Sequence, residues 1–150
     1  MTPIGRSLGK THKVAHALAD RELAPLGSSV SEWIVLTQIR EAPAPGASQT
    51  EIARHSDMGG PALVRHIDRL EADGSVTRTR DAADRRIIRL TLTAAGQARI
   101  AELQVVMARI DRQLRKAITK DEAAVVERAL GKLFDHCVAE LNATDTRSAS

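Results

Sequence analysis

The hydrophobic pattern of the chain changes its period after Gly74. Between residues 61 and 73 the apolar side chains recur at three- and four-residue steps, which is typical of an amphipathic helix. Residues 86–92 alternate strictly, with Ile88, Leu90 and Leu92 on one side, and residues 76–80 resemble a second strand. The polar segment 81–85 joins the two strands. The sequence therefore predicts a helix followed by a small antiparallel β-hairpin.

Another short helix is predicted just before the helix at 61–73. The segment Ser48-Gln49-Thr50-Glu51 has the form of a capping box, which opens a helix that ends near His55. A turn covers residues 56–60, and Pro61 suits the first turn of the next helix. Two short helices joined by a tight turn and followed by a hairpin are the order of a winged helix-turn-helix, whose second short helix enters the major groove of DNA.

Longer helices are predicted on both sides of this segment. The first covers residues 4–18, a capping box at 29–32 opens another that ends near Arg40, and a helical pattern resumes at Thr93. A further capping box at 119–122 opens the last helix. The outer helices carry apolar stripes that a core of about 60 residues could not cover, so burial against a second copy is favoured.

We expect one domain over residues 1–150, with four parts. Their ranges are 1–27 for a dimerisation helix, 28–96 for the winged helix-turn-helix, 97–142 for dimerisation helices and 143–150 for a flexible tail.

Composition excludes several classes of protein. No run of 18 or more apolar residues could cross a membrane, and the N-terminus lacks the apolar core of a signal peptide. Cys137 is the single cysteine, so no internal disulfide can form and a cytoplasmic location is expected. The net charge of +3 permits a polyanionic partner.

Aromatic residues are scarce, which bears on the kind of nucleic acid the chain could bind. Trp33 and Phe134 are the only two aromatic rings among tryptophan, phenylalanine and tyrosine, which disfavours a platform that stacks the bases of RNA or single strands. Duplex DNA remains possible. The sequence has no glycine-rich phosphate loop or GxSxG motif, so we expect no enzyme, no catalytic residue and no cofactor.

Two sequence blocks carry a family resemblance. LVRHIDRLEADG and the segment DRRIIRLTLTAAG, Asp84 to Gly96, make the chain resemble the MarR family of bacterial transcription regulators, with most similarity to its SlyA-like branch. The likeness runs from Pro25 through Gly96 and continues more weakly into TKDEAAVVERALGKL. It implies a mainly α fold with a small antiparallel β-hairpin, terminal dimerisation helices, and a homodimer that binds a pseudo-palindromic double-stranded DNA operator. Members usually repress, and many respond to small aromatic or phenolic acids.

The predicted hairpin is rich in arginine. Residues 76–90 contain five arginines against two aspartates, which leaves a local excess of three positive charges. The resemblance implies that Arg86 enters the minor groove and that Asp84 steadies it. Arg65 lies on the polar face of the predicted recognition helix and could contact guanine. The alternatives are a solvated turn and an ordinary surface arginine.

Other positions could approach DNA through its phosphates or through a close helix N-terminus. The expected DNA-binding residues are Ser48, Gln49, Arg54, Ser56, Gly60, Pro61, Ala62, Arg65, Arg78, Asp84, Arg85 and Arg86.

Trp33 is the main candidate for an effector site. The resemblance implies that this tryptophan borders a ligand cavity; plain core packing is the alternative. The residues that could supply charge or hydrogen bonds to a carboxylate are Lys13, His16, Ser31, Thr37 and His66. His12 and His16 could share a metal, but no further ligand accompanies them, so no metal is expected. Cys137 is expected to be buried or partly buried, whereas redox sensing would need an exposed thiolate.

The sequence therefore predicts a ligand-responsive dimeric DNA-binding regulator. Two alternatives stay open: an architectural DNA binder of low specificity, and a binding protein for small aromatic acids without a DNA role.

Overall fold

The structure is a computed structural model that describes residues 3–54, 56 and 58–148, with side chains described as far as residue 143. The chain divides after Ala108 into two compact units. The elements are α1 (Ile4–Leu23), α2 (Val30–Glu41), β1 (Ala47–Ser48), α3 (Gln49–Arg54), α4 (Gly60–Ala72), β2 (Val76–Arg80), β3 (Ile88–Leu92), α5 (Ala94–Arg115) and α6 (Lys120–Ser148). The predicted mainly helical fold with a small antiparallel hairpin is confirmed.

Two of the predicted capping boxes form completely. At the start of α3 the Ser48 hydroxyl accepts from the Glu51 amide at 3.2 Å, and the Glu51 carboxylate accepts from the Ser48 amide at 2.6 Å. Thr119 and Glu122 make the same reciprocal pair, at 3.2 and 2.8 Å, before α6. Each box satisfies two amides that the first helical turn leaves without partners, so local sequence determines where these helices begin.

The box before α2 forms only in part. The Ser29 hydroxyl accepts from the Glu32 amide at 3.2 Å, as predicted. The next amide, that of Val30, donates to the Asp20 carboxylate of α1 at 2.8 Å. The Glu32 carboxylate is directed to two arginines, Arg69 and Arg99, which sequence reasoning did not identify as partners.

The predicted hairpin is one part of a three-stranded antiparallel sheet of order β1-β3-β2. Val76 to Arg80 pair with Leu92 to Ile88, while Ala47 pairs with Leu90 from the other side. The last strand begins at Ile88 rather than at residue 86 because residues 84–87 close a turn, in which the Ile87 amide donates to the Asp84 carbonyl at 2.9 Å. The two-residue strand β1 was not predicted, because two residues are too short to show a period.

The first unit has a core built from the predicted apolar stripes. Leu63, Ile67 and Leu70 of α4 are at most 2% exposed, and Leu36 of α2 and Leu90 of β3 are fully buried. The burial of one face of α4 leaves its polar face toward solvent.

Gly96 allows α5 to begin against the sheet. A Cβ atom at this position would lie 2.0 Å from the Ser75 carbonyl oxygen, closer than any side chain can approach. Thr93, which precedes α5, donates its hydroxyl to the Gly74 carbonyl at 2.6 Å and accepts from the Gly96 amide at 3.0 Å. These contacts fix the base of the hairpin relative to the first turn of α5.

The second unit, residues 109–150, contains the end of α5 and all of α6. Within it Arg115 binds Asp111 at 2.8 Å and Glu127 at 2.7 Å. The helix α6 continues to Ser148, past the predicted start of a tail at residue 143. In the described part of the chain, no helix is both long enough and apolar enough to span a membrane.

One prediction in the second unit is wrong. Cys137 was expected to be buried or partly buried, and it is exposed. The reason is that its apolar neighbours on α6, including Phe134 and Val138, are exposed as well in the single chain.

Candidate nucleic-acid interface

The polar face of α4 carries Arg65, which is exposed, while Leu63 and Ile67 on the opposite face are buried. The helix begins at Gly60 without a side-chain cap, and the Gly59 carbonyl accepts from the Leu63 amide at 3.1 Å. Gly60 and the neighbouring Pro61 are exposed, and Ala62 is half-buried. Small residues leave this helix end open to a polyanion.

The tip of the hairpin holds Arg86 in one orientation. Its Nε donates to one oxygen of the Asp84 carboxylate at 3.1 Å, and its Nη2 to the other at 3.0 Å. The Arg86 amide also donates to Asp84, at 3.0 Å. The Arg86 side chain is nevertheless 91% exposed, so the carboxylate aligns the guanidinium without burying it.

Arg85, next to Arg86, is also exposed at the tip. Its backbone carbonyl accepts from the Arg80 guanidinium at 3.4 Å. The Asp84 carboxyl has a lowered pKa because Arg86 donates to it through the side chain and the backbone. The Asp84 charge that orients Arg86 therefore persists at neutral pH.

Arg89 is directed inward, although it belongs to the same arginine-rich segment. Its guanidinium donates to the buried Asp81 carboxylate at 2.7 Å, to Glu51 of α3 at 3.2 Å and to the Gly46 carbonyl at 3.3 Å. Arg89, followed by the amides of Asp84 and Ala83, lowers the pKa of Asp81 to about 2. Arg89 thus joins the hairpin loop to α3.

Arg78, a predicted phosphate contact, is paired within the protein. Its guanidinium contacts Asp68 at 2.5 Å and also Glu71, both on α4, and its side chain is 23% exposed. Two carboxylates offset its charge, which disfavours a phosphate contact. Its role on DNA stays a prediction.

A cleft of about 410 Å³ lies between α3 and the hairpin. Its lining brings together four of the predicted DNA-binding residues, which are Ser48, Gln49, Arg54 and Arg86. Ser48 is half-buried in its capping box, and Arg54 is exposed. Ser56 is half-buried, and its hydroxyl has no hydrogen-bond partner among the described residues.

The predicted effector residues lie on three helices of the first unit: Lys13 and His16 on α1, Ser31, Trp33 and Thr37 on α2, and His66 on α4. Trp33 is half-buried, which suits either core packing or the edge of a cavity. His16 binds Asp20 at 3.1 Å, and the Thr37 hydroxyl is buried without a partner among the described residues. The ligand hypothesis therefore stays open.

The rings of His12 and His16 are 5.7 Å apart in an edge-on arrangement. Over the described ranges, no group of three or more potential metal ligands is found.

Sequence reasoning missed the inward carboxylates of this region. Asp81 and Glu51 both pair with Arg89, yet Glu51 was noticed only as a helix cap. A signal existed for Asp81, because an aspartate at the end of a strand, followed by small residues, is typical of a side chain that binds backbone amides in a turn.

Comparison with known proteins gives consistent results. The family model described as MarR family matches residues 26–87. A mutant of MarR from Escherichia coli, in complex with operator DNA, is 30% identical; the alignment covers 87% of this chain and 93% of that chain, with a TM-score of 0.76. A MarR family protein of Mycobacterium tuberculosis, in complex with salicylic acid, is 28% identical over 89% of this chain and 97% of that chain, with a TM-score of 0.74.

A third comparison supports the fold alone. The transcriptional regulator BldR from Sulfolobus solfataricus is 22% identical over 89% of this chain and 93% of that chain, with a TM-score of 0.78. From the fold and the 30% identity over nearly all of the Escherichia coli protein, we conclude that the chain belongs to the MarR family.

Proposed function

We propose that the chain is a ligand-responsive transcription regulator of the SlyA-like branch that binds a pseudo-palindromic operator as a homodimer. In this proposal α4 is the recognition helix and enters the major groove, and the β2–β3 hairpin is the wing. The Escherichia coli relative in complex with operator DNA supports DNA as the partner. Repression is the expected mode of action.

The observation that carries the proposal is the Asp84-Arg86 pair. A guanidinium that is 91% exposed and yet held through two hydrogen bonds is prepared for a narrow minor groove, where the negative potential of DNA is enhanced. An ion pair that is so exposed contributes little to the stability of the fold, so stability alone does not explain this arrangement. The preorganisation lowers the entropy that Arg86 loses on binding.

Arg65 is the proposed base-reading residue. It is exposed on α4, and a bidentate contact from arginine to guanine discriminates against a wrong base by about 1–3 kcal/mol. Ser48, Gln49 and Arg54 line the cleft next to Arg86 and are proposed to contact phosphates.

The proposed homodimer accounts for apolar surface on the helices at both chain ends. On α1, Ile4 and Val14 are each 65% exposed. On α6 a row at three- and four-residue spacing is exposed: Val126, Leu130, Phe134, Val138 and Leu141. A row at this spacing forms one stripe of a helix, and a second copy is the occupant that the family likeness favours.

The proposed effector is a small aromatic or phenolic acid bound near Trp33. Salicylic acid bound to the Mycobacterium tuberculosis relative supports this class. Such a ligand would shift DNA binding only through different affinities for the free and DNA-bound conformations.

The test begins with selection of preferred duplexes from a random pool by the wild-type protein. Fluorescence anisotropy then compares the selected duplex with unselected competitor at fixed salt. We expect Arg65→Ala to relax base preference and Arg86→Ala to weaken binding by about tenfold or more, with circular dichroism unchanged. Arg21→Ala, which removes an exposed arginine of α1, is the matched control and should bind normally.

Two outcomes would support the alternative functions. Equal affinity for selected and competitor duplexes would indicate an architectural DNA binder. Failure to bind any duplex at low salt, together with binding of salicylic acid, would indicate a small-molecule binding protein without a DNA role.

A further inference from the structure

An ion-pair cluster around one buried carboxylate lies at the far end of α4 from its N-terminus, and its arginine on α4, Arg69, is 60% exposed. We define the Glu32 cluster as Glu32 of α2, Arg69 of α4 and Arg99 of α5. The Glu32 side chain is 2% exposed, and one of its oxygens accepts from Nε and Nη2 of Arg99, both at 3.2 Å. Nη2 of Arg69 lies 3.8 Å from the other oxygen. One carboxylate therefore joins three helices.

The two arginines of the cluster also bind the turn that follows α1. Arg99 donates to the Leu26 carbonyl at 2.9 Å, and Arg69 donates to the Gly27 carbonyl at 2.5 Å. Gly27 has a φ of 64°, a left-handed conformation that suits glycine and turns its carbonyl out of the helical path. The cluster thus connects α4 and α5 to this turn as well as to each other.

The Glu32 carboxylate does not play the usual part of a capping-box glutamate. In a complete capping box it would accept from the Ser29 amide, but its two oxygens face Arg99 and Arg69 instead, while Asp20 accepts from the Val30 amide at 2.8 Å. A buried carboxylate is costly unless it is paired, and an arginine fork pairs only in a defined geometry. The cluster therefore favours one arrangement of the three helices over neighbouring ones.

We propose that Glu32 is a positioning residue for DNA binding, which fixes the last turns of α4 relative to α5 and to the turn after α1. The proposal rests on the proposed function, because it assumes that α4 reads DNA. Arg65 lies one helical turn before Arg69 on the same short helix, so any tilt at Arg69 displaces the base-reading side chain. Glu32 acts through Arg69 and Arg99 and does not contact DNA itself.

Two variants test this on the full chain without DNA. Glu32→Gln removes the charge, and Arg69→Ala removes the arm on α4 but leaves the buried Glu32-Arg99 pair intact. We expect each to raise amide hydrogen exchange in the last two turns of α4 by about fivefold or more, with α3 unaffected. Glu102→Gln, which removes the exposed carboxylate on the other side of Arg99, is the control and should exchange like wild type.

The proposal would be overturned if amide exchange in the last turns of α4 stays at the wild-type rate in Arg69→Ala, and also in Glu32→Gln if that variant folds. The Arg69→Ala result decides by itself if Glu32→Gln does not fold.

A second measurement connects the cluster to DNA. The selected duplex is compared with versions whose half-sites are one base pair closer or farther apart. Wild type should discriminate between these spacings, and both variants should lose most of that discrimination; retained discrimination would overturn the role in DNA binding. If wild type binds no duplex at all, the proposed function fails and the role in DNA binding fails with it. The exchange measurement then still decides whether Glu32 positions α4.

Discussion

The Arg89 guanidinium lies 2.7 Å from the carboxylate of the buried Asp81, and its other side contacts Glu51 of α3 at 3.2 Å. Its side chain is 18% exposed, compared with 91% for Arg86 in the same segment. Arg89 therefore holds the loop of the wing against α3, whereas Arg85 and Arg86 are exposed. Arginines that sequence analysis counted together therefore divide into those that bind carboxylates inside the fold and those that are exposed at the tip of the hairpin.

Salt dependence should separate these two roles. If Arg85 contacts a phosphate, Arg85→Ala lowers the slope of log affinity against log salt by about 0.9, because one fewer counterion is released. We expect Arg89→Ala to weaken binding while the slope stays at the wild-type value. Anisotropy titrations with the selected duplex at several salt concentrations measure both. An equal fall of the slope in the two variants would contradict the structural role of Arg89.

Acid should remove the stabilisation that Asp81 gives the wing. Hydrogen bonds from Arg89 and from the amides of Asp84 and Ala83 lower the pKa of Asp81 from 3.8 to about 2 in the folded state. The stabilisation from this carboxylate is therefore fully present above about pH 5 and is lost as the pH falls toward 2. Urea unfolding between pH 6 and 3 should give a shallower pH dependence for Asp81→Asn than for wild type. Identical pH dependence would argue against this linkage.

Gly96 should tolerate no side chain. In Gly96→Ala the new methyl group would meet the Ser75 carbonyl, so α5 must move away from the sheet, and we expect a loss of about 1–3 kcal/mol in unfolding free energy. The control is Gly9→Ala on α1, where nothing lies within 4 Å of the new Cβ atom and helix propensity should add up to about 1 kcal/mol. Denaturant melts compare the two. Equal stability of Gly96→Ala and wild type would disprove the close approach.

Phe134 should be required for the proposed homodimer. Its side chain is 65% exposed in the single chain and lies in the apolar row of α6. A charge there would be costly to bury, so Phe134→Asp should sediment as a monomer at micromolar concentration. The control is Lys132→Asp, which introduces an aspartate about 200° around α6 from Phe134 and should leave the dimer intact. Analytical ultracentrifugation makes the comparison, and a dimeric Phe134→Asp would count against this interface.

Much of the fold was determined by relations between residues close together in the chain. The reciprocal caps at Ser48 and Thr119 join residues three apart, and the buried stripe of α4 follows from three- and four-residue spacing. The hairpin followed from alternation in the segment 86–92, of which Ile88–Leu92 forms the strand. Such patterns depend only on the geometry of helices and strands, so they can be recognised in the sequence before any tertiary contact is known.

The tertiary structure decided which charged side chains form ion pairs inside the fold and which are exposed to solvent. Arg99 reaches Glu32 across 67 residues of sequence, and Arg89 reaches Glu51 across 38. A guanidinium at the end of a long, flexible side chain has no local preference for a partner, so the packing of the helices chooses among several nearby carboxylates. For this reason the sequence alone placed Arg78 and Arg86 in one class, while the folded chain largely buries the first against carboxylates of α4 and leaves the second 91% exposed.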